Sequence, residues 1–198
     1  VTDCWIVDNA SEDGTLALVA HQFPAVKIIR NQQNKGFGAA CNQALVQVMS
    51  EFALLMNPDA TINTEGIDRL LACAANYPKA ALIAPRLAGN GFDPSTHDFP
   101  STRVAPNIYD VSFISGALAV WRMELMRHVG FFDPRFFLFY EDDDLSIRVH
   151  RHGYQMLICS DVMASHVPGN SCAPSAYIDA LKLQSSTWSA LYIQRKYH

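Results

Sequence analysis

The chain has 198 residues, 49% of them hydrophobic and 17% charged, which suffices for a buried core and excludes disordered and fibrous classes. Lys and Arg number 15 against 19 Asp and Glu, a net charge of −4, so non-specific nucleic-acid binding is excluded and any polyanionic ligand must be held locally. No apolar run approaches the roughly 18 to 20 residues of a spanning helix, and the start, VTDCWIVDNA, lacks a signal-peptide pattern, so a soluble, cytoplasmic chain is expected.

In chain order, apolar β-rich runs alternate with helical patterns through the first half, the order of an α/β fold with crossover helices. Cys4 to Val7 is a strand that ends at Asp8-Asn9-Ala10-Ser11, and a helix follows over about Thr15 to Phe23. Val26 to Arg30 is the next strand. Gly36 to Met49 is a helix whose apolar stripe is Ala40, Ala44, Leu45, Val48 and Met49. Phe52 to Met56 is a strand stopped by Pro58, Thr64 to Asn76 a helix capped by Thr64, and Ala81 to Ala84 a fourth strand. Ala88 to Pro106, rich in Gly, Pro, Asp and Ser, is a long loop or hairpin excursion suited to a lid.

Val111 to Ile114 and Ala117 to Trp121 are strands broken at Ser115-Gly116, and Met123 to His128 is a short helix. A Phe-rich stretch from Gly130 to Tyr140 runs into Glu141-Asp142-Asp143-Asp144, acids that open a helix ended by Gly153. Strands at Gln155 to Cys159 and Val162 to Ser165 precede His166, and an amphipathic helix begins near Ala176. Five widely spaced cysteines without a CxxC pair read as buried thiols of a reducing compartment.

Asp8 and Asp59 directly follow strands, the edge where open α/β sheets bind ligands, although either could serve only as a turn or helix cap. Asn57-Pro58-Asp59 offers oxygen ligands on a rigid turn, suited to Mg²⁺ or Mn²⁺ shared with a diphosphate. Asn34-Lys35-Gly36-Phe37-Gly38, with Asn42, opens a helix where amides and the dipole favour an anion, or is a plain glycine-rich helix start. Four adjacent acids raise one another's pKa, and the aromatic stretch before them offers the apolar surroundings of a general base. Asp144 and Arg148, four apart, pair on the helix surface and leave Asp142 to face a cleft. His166 ends a strand and suits a metal ligand, while His150 and His152 lie on a solvated helix face.

These motifs, with Gly130-Phe131-Phe132-Asp133, Phe139 to Leu145, and His166 followed by Gly169 and Ser171, resemble the inverting nucleotide-sugar glycosyltransferases of family two, particularly the rhamnosyltransferase-like branch. The resemblance covers nearly the whole chain. It implies a GT-A fold: α/β, Rossmann-like, with a mixed, mainly parallel sheet flanked by helices. One domain over 1–198 is expected, with a nucleotide-binding half at 1–85, an acceptor and catalytic half at 86–175 and a helix at 176–198. Family members begin with one further strand and continue beyond the last helix. The resemblance therefore implies a chain shortened at its N-terminus, with an open strand edge and weak activity alone.

By the same resemblance Asp8 contacts the nucleobase, Asn34, Lys35, Gly36 and Asn42 line the nucleotide and diphosphate, and Asn57 faces the ribose. Asp59 and His166 hold a divalent cation, Mn²⁺ or Mg²⁺. Asp142 is the base that deprotonates the acceptor hydroxyl, and Glu141 and Asp144 shape the acceptor pocket. The implied reaction moves a sugar, rhamnose among the candidates, from a nucleoside diphosphate to a saccharide or lipid-linked acceptor in cell-surface polysaccharide synthesis. The implied partners are that donor and acceptor, with peripheral contact at the inner face of the cytoplasmic membrane and a homodimer as further expectations. A nucleotidyltransferase shares the strand-end acids but needs a basic Gly-rich loop near its start, which this chain lacks. A catalytically silent sugar-nucleotide-binding scaffold is the other alternative.

Overall fold

The computed structural model describes residues 3–88, 101–167 and 175–198. They belong to two compact units: Val1–Met49, Phe132–Glu141 and Leu181–His198 form unit 1, and Ser50–Phe131 and Asp142–Ala180 form unit 2.

In unit 1, β1 (Trp5–Asp8) and β2 (Lys27–Arg30) pair in parallel, with Asp8 opposite Arg30, joined through α1 (Thr15–Gln22). Next comes α2 (Phe37–Leu45), which packs on β1 and buries Gly38, Ala40 and Leu45. The helix stops short of the expected Met49: after Leu45 the amides of Gln47 and Val48 bond three residues back, and Val46 and Met49 are exposed.

Unit 2 holds a seven-stranded sheet. Its strands are β3 (Phe52–Met56), β4 (Ala60–Thr61), β5 (Ala80–Ala88), β6 (Ser101–Ala105), β7 (Ile108–Val111), β8 (Leu118–Arg122) and β9 (Gln155–His166), in the order β3-β8-β5-β9-β7-β6 with β4 on β9. The mixed α/β character agrees with the sequence, but the expected parallel majority does not. Within this sheet β5–β9 is parallel, and the β3–β8, β5–β8, β7–β9, β6–β7 and β4–β9 pairings are antiparallel. The reason lies in the connections: β6 and β7 are joined by the two residues Pro106-Asn107, too short for the crossover that parallel pairing requires. Asn107 takes the left-handed backbone of that turn. The hairpin alternative therefore holds at Ser101–Val111, and residues 89–100 of the candidate lid lie outside the described residues. The two strands expected at Gln155 to Ser165 are one, kinked where the β5 register passes from Cys159 to Met163.

The core of unit 2 forms where α3 (Thr64–Asn76) lays Leu70, Cys73 and Ala74 against Ile83, Val120, Leu157 and Cys159. Cys73 and Cys159 hydrogen-bond one another. They are buried as expected, whereas Cys4 is exposed, and Cys172 lies outside the described residues. The cap of α3 is Asn63 rather than Thr64: Asn63 is extended, so its Oδ1 reaches the Gly66 amide at 2.8 Å and Thr64 becomes the first helical residue. Asn63→Ala is expected to cost about 1 kcal/mol, a fall of roughly 2 to 4 °C in thermal unfolding midpoint.

After β8 come α4 (Met123–Val129) and α5 (Glu141–Arg151), and Gly153 follows α5 in a left-handed conformation. The last helix is α6 (Ala176–Tyr197). Within unit 1 the Ser189 hydroxyl donates to the Leu138 carbonyl, while Tyr192 and Lys196 donate to Asp133 at 3.0 and 2.8 Å. Burial opposes the charge of Asp133, but the bonds from Arg135, Lys196 and Tyr192 outweigh it and hold the carboxyl well below its usual range.

Candidate functional site

In unit 2, Asn57-Pro58-Asp59-Ala60 is a tight turn: the Ala60 amide donates to the Asn57 carbonyl at 3.1 Å, and Pro58 pre-sets the backbone at the first corner. The Asn57 amide is held by the Ala117 carbonyl at 2.8 Å. Immediately after Asp59, β4 pairs Ala60 with His166 and Thr61 with Ser165, and the Val167 amide bonds to the Asp59 carbonyl. This two-residue ladder brings the two predicted metal ligands together, with Asp59 Oδ1 3.2 Å from His166 Nε2.

Both side chains are mostly buried, and neither Asp59 Oδ1 nor His166 Nδ1 has a hydrogen-bond partner. Asp59 Oδ1 and His166 Nε2 at this spacing fit adjacent ligands of a small divalent ion, whose bonds are about 2.1 Å. Among the described residues no group of three or more His, Cys, Asp and Glu gathers, so this pair is what the described residues offer a metal.

Asp142, in the first turn of α5, receives a hydrogen bond from the backbone of Gly116. That contact accounts for the Ser115-Gly116-Ala117 motif, because the chain turns at Gly116 before β8 and presents its amide to the acid. Asp142 Oδ1 is buried without a partner. Burial, with a smaller contribution from the charge of Asp143, pushes the Asp142 carboxyl up to about 6 against the Gly116 bond. Burial also raises Asp143. Desolvation, rather than mutual repulsion alone, is thus the main cause of these shifts.

Asp144 and Arg148 pair as predicted, at 2.8 Å, but not on the surface: Asp144 is fully buried. Arg148 also donates to the carbonyls of Val129, Gly130 and Phe131, so the side chain ties α5 to the end of α4. The sequence reading misjudged this pair because a run of acids looks solvated wherever it lies. Glu141 is buried too, while His150 and His152 are exposed as expected.

In unit 1, Asp8 ends β1 and is 4% exposed. Its Oδ1 accepts from the Ser11 amide at 3.2 Å, and Oδ2 is buried without a partner. The following Asn9 joins a web of amides that the sequence reading missed. Asn9 Nδ2 donates to Asn34 Oδ1 and the Gly36 carbonyl, Asn9 Oδ1 accepts from the Lys35 amide, and Asn31 bridges Asn9 and Gln43. The one available signal was the place of Asn31 directly after β2, the counterpart of Asn9 after β1.

The start of α2 is not the open anion cradle the sequence suggested. The amides of Lys35, Gly36 and Phe37 donate to Asn9 Oδ1, Asn34 Oδ1 and the Phe137 carbonyl respectively. Gly36 has φ +86, and a Cβ there would lie 2.3 Å from the Phe137 oxygen, so only glycine fits. Gly38 is similarly confined: a Cβ there would lie 2.7 Å from Phe132 Cβ. Asn42 donates to the Phe132 carbonyl at 2.8 Å and accepts from its amide at 3.0 Å, so its side chain holds the Phe132 segment. Lys35 and Asn34 are exposed, and Gly169 and Ser171 lie outside the described residues.

Comparison with known proteins matches residues 1–130 to glycosyl transferase family 2. The N-acetylglucosaminyl-diphospho-decaprenol L-rhamnosyltransferase of Mycobacterium tuberculosis is 24% identical over 88% of this chain and 70% of its own. Among solved structures, GalNAc-T7 with UDP, GalNAc and Mn²⁺ superposes with a TM-score of 0.70 at 13% identity, over 83% of this chain and 37% of that one. The mannosyltransferase PcManGT of Pyrobaculum calidifontis with GDP-Man and Mn²⁺ gives 0.65 at 20%, over 85% and 49%. The chain thus spans half or less of these two solved chains. The likeness shows the expected GT-A fold. No helix among the described residues is long and apolar enough to cross a membrane.

Proposed function

Because the chain belongs to glycosyl transferase family 2, we propose that it transfers a sugar from a nucleoside diphosphate to a hydroxyl of a saccharide or lipid-linked acceptor, inverting the anomeric carbon. Rhamnose is the proposed sugar, which the name of the mycobacterial relative supports, and cell-surface polysaccharide synthesis from the cytoplasmic side is the proposed setting. The observation that carries the reading is Asp142, a carboxylate with a buried unpartnered oxygen and a pKa raised to about 6, the properties of a base at neutral pH.

Asp142 takes the proton from the acceptor hydroxyl, and a single displacement by that oxygen at the anomeric carbon inverts it. Glu141 and Asp144 shape the acceptor pocket, Asp144 through the helix it locks to Arg148. Asp8 is assigned to the nucleobase, with its Oδ2 unengaged. The exposed side chains of Asn34 and Lys35 are assigned to the nucleotide and diphosphate, with Gly36 and Asn42 holding the segment beside them, and Asn57 to the ribose. A divalent cation, Mn²⁺ or Mg²⁺, when bound offsets the charge of a departing diphosphate, and Asp59 and His166 are the residues that would hold it. The Mn²⁺ in the two similar solved structures supports a divalent cation.

A calorimetric screen of nucleoside diphosphates with and without Mn²⁺ tests the reading. One of them is expected to bind in a Mn²⁺-dependent manner. Asp59→Ala should remove that dependence, with a loss at least as large as the roughly 10- to 100-fold seen when an outer partner of a metal ligand is removed, and leave thermal unfolding unchanged. Equal affinity in the variant, with and without Mn²⁺, would withdraw Asp59 from the site.

A further inference from the structure

Helix α6 carries its polarity inverted. Ser185 and Ser189 are buried, whereas Leu183, Trp188 and Leu191 are 70%, 62% and 60% exposed. From Leu183 onward, at 3.6 residues per turn, the exposed side chains Leu183, Gln184, Thr187, Trp188, Leu191, Gln194, Arg195 and His198 lie within an arc of about 140°. Trp188, Leu191 and Arg195 follow at i, i+3 and i+7. The inner side is already fastened within unit 1, by Ser189 on Leu138, by Tyr192 and Lys196 on Asp133, and by the ring of Tyr192 on Phe136 at 4.8 Å. The outer apolar side chains do not belong to that packing.

We propose that this outer face of α6 docks on an anionic lipid surface. Charge is the first argument: past Asp179 in its first turn the helix has no Asp or Glu, while Lys182 and Arg195 are cationic, Lys196 being paired with Asp133, in a chain whose net charge is −4. A local positive stretch on an acidic chain favours an anionic partner, and each basic side chain near such a membrane adds to the attraction. Chemistry is the second: an exposed Trp beside leucines, flanked by Arg, Gln and Thr, is the composition of a helix lying in a membrane interface, where the indole sits at headgroup level. Size is the third, and it disfavours a second copy of the chain. Stable protein interfaces draw about 800 Å² and 20 to 30 residues from each partner, and this stripe is three large apolar side chains on one helix.

The inference does not depend on which reaction the chain performs, and its test needs neither nucleotide nor acceptor. The 198-residue chain is sedimented with vesicles of equal parts phosphatidylglycerol and phosphatidylcholine, and with pure phosphatidylcholine. Binding to the anionic vesicles is expected, with a blue shift of tryptophan emission as Trp188 leaves water; Trp121 is buried, and the Trp188→Ala variant separates the signal from that of the partly exposed Trp5. Trp188→Ala with Leu191→Ala should weaken binding about tenfold or more and abolish the shift. Arg195→Glu should weaken binding to the anionic vesicles and leave that to phosphatidylcholine unchanged. Because all three side chains are exposed, unfolding midpoints should stay within a few degrees of the parent. Absence of binding, or binding that these variants do not change, overturns the proposal. Self-association of the parent that the double variant abolishes, without vesicle binding, would assign the face to a second copy and overturn it equally.

Discussion

Asp142→Asn is expected to make the protein more stable and the enzyme nearly inert. In the folded chain the Asp142 carboxyl titrates near 6, against an ordinary value of 3.8, chiefly because it is buried. Between these two values the folded chain keeps the proton that the unfolded chain has released, so stability falls as pH rises through that window and the loss is complete above about 6. The displacement corresponds to about 3 kcal/mol at neutral pH. Asparagine keeps the shape and an oxygen for the Gly116 amide without the buried charge. At pH 7.5 the variant should therefore unfold up to roughly 10 °C above the parent, and at pH 4 the two midpoints should converge. A constant difference across pH would show that ionisation of Asp142 is not its cause.

The same substitution should lower the transfer rate by about 10²- to 10⁴-fold, the usual contribution of a positioned base, with nucleotide binding unchanged. In the parent, rate should rise with pH through about 6 and then level, because the base works only when ionised. Transfer at the parental rate by Asp142→Asn would remove this residue from the chemistry.

Arg148→Ala is expected to destabilise unit 2 strongly. The guanidinium bonds Asp144, which is fully buried, and three successive carbonyls at the end of α4. Removing one member of a buried ion pair costs about 3 to 5 kcal/mol, because the remaining charge loses the partner that offset its desolvation. A fall of at least about 6 °C in midpoint should follow. Arg148→Lys should recover only part of it, since one ammonium cannot reach four acceptors in the fork geometry of arginine. Arg148→Met combined with Asp144→Asn should be milder than Arg148→Met alone. A midpoint within 2 °C of the parent for Arg148→Ala would refute this account of the pair.

What could be read from the sequence followed the range of the interaction. Asp8, Asp59 and His166 were recognisable because each ends an apolar β-rich run, and strand ends are set by local pattern. The i,i+4 spacing of Asp144 and Arg148 gave their pairing for the same reason. Their burial was not legible, because it depends on α4 and on the carbonyls of residues 129–131, which no local pattern announces. The amides at the start of α2 looked free until Phe137, a hundred residues on, supplied an acceptor for one of them. The antiparallel pairings were hidden too: an apolar run shows that a strand exists, not which neighbour it takes. Asn9, Asn31 and Gln43 drew no notice because a lone amide side chain has no pattern to betray it.

The ladder between β4 and β9 has a consequence for how the Asp59–His166 pair is kept. Two residues of pairing at the extremity of a strand form the kind of element that opens locally at a free energy well below that of global unfolding. Its opening would part the two side chains while the Leu70 and Leu157 core stays intact. An ion gripping both would bind only the closed form and thus hold the ladder shut by mass action. The fold therefore need not keep this corner rigid in the absence of cargo, and the readiness of the two ligands becomes a matter of how often a two-residue ladder is closed.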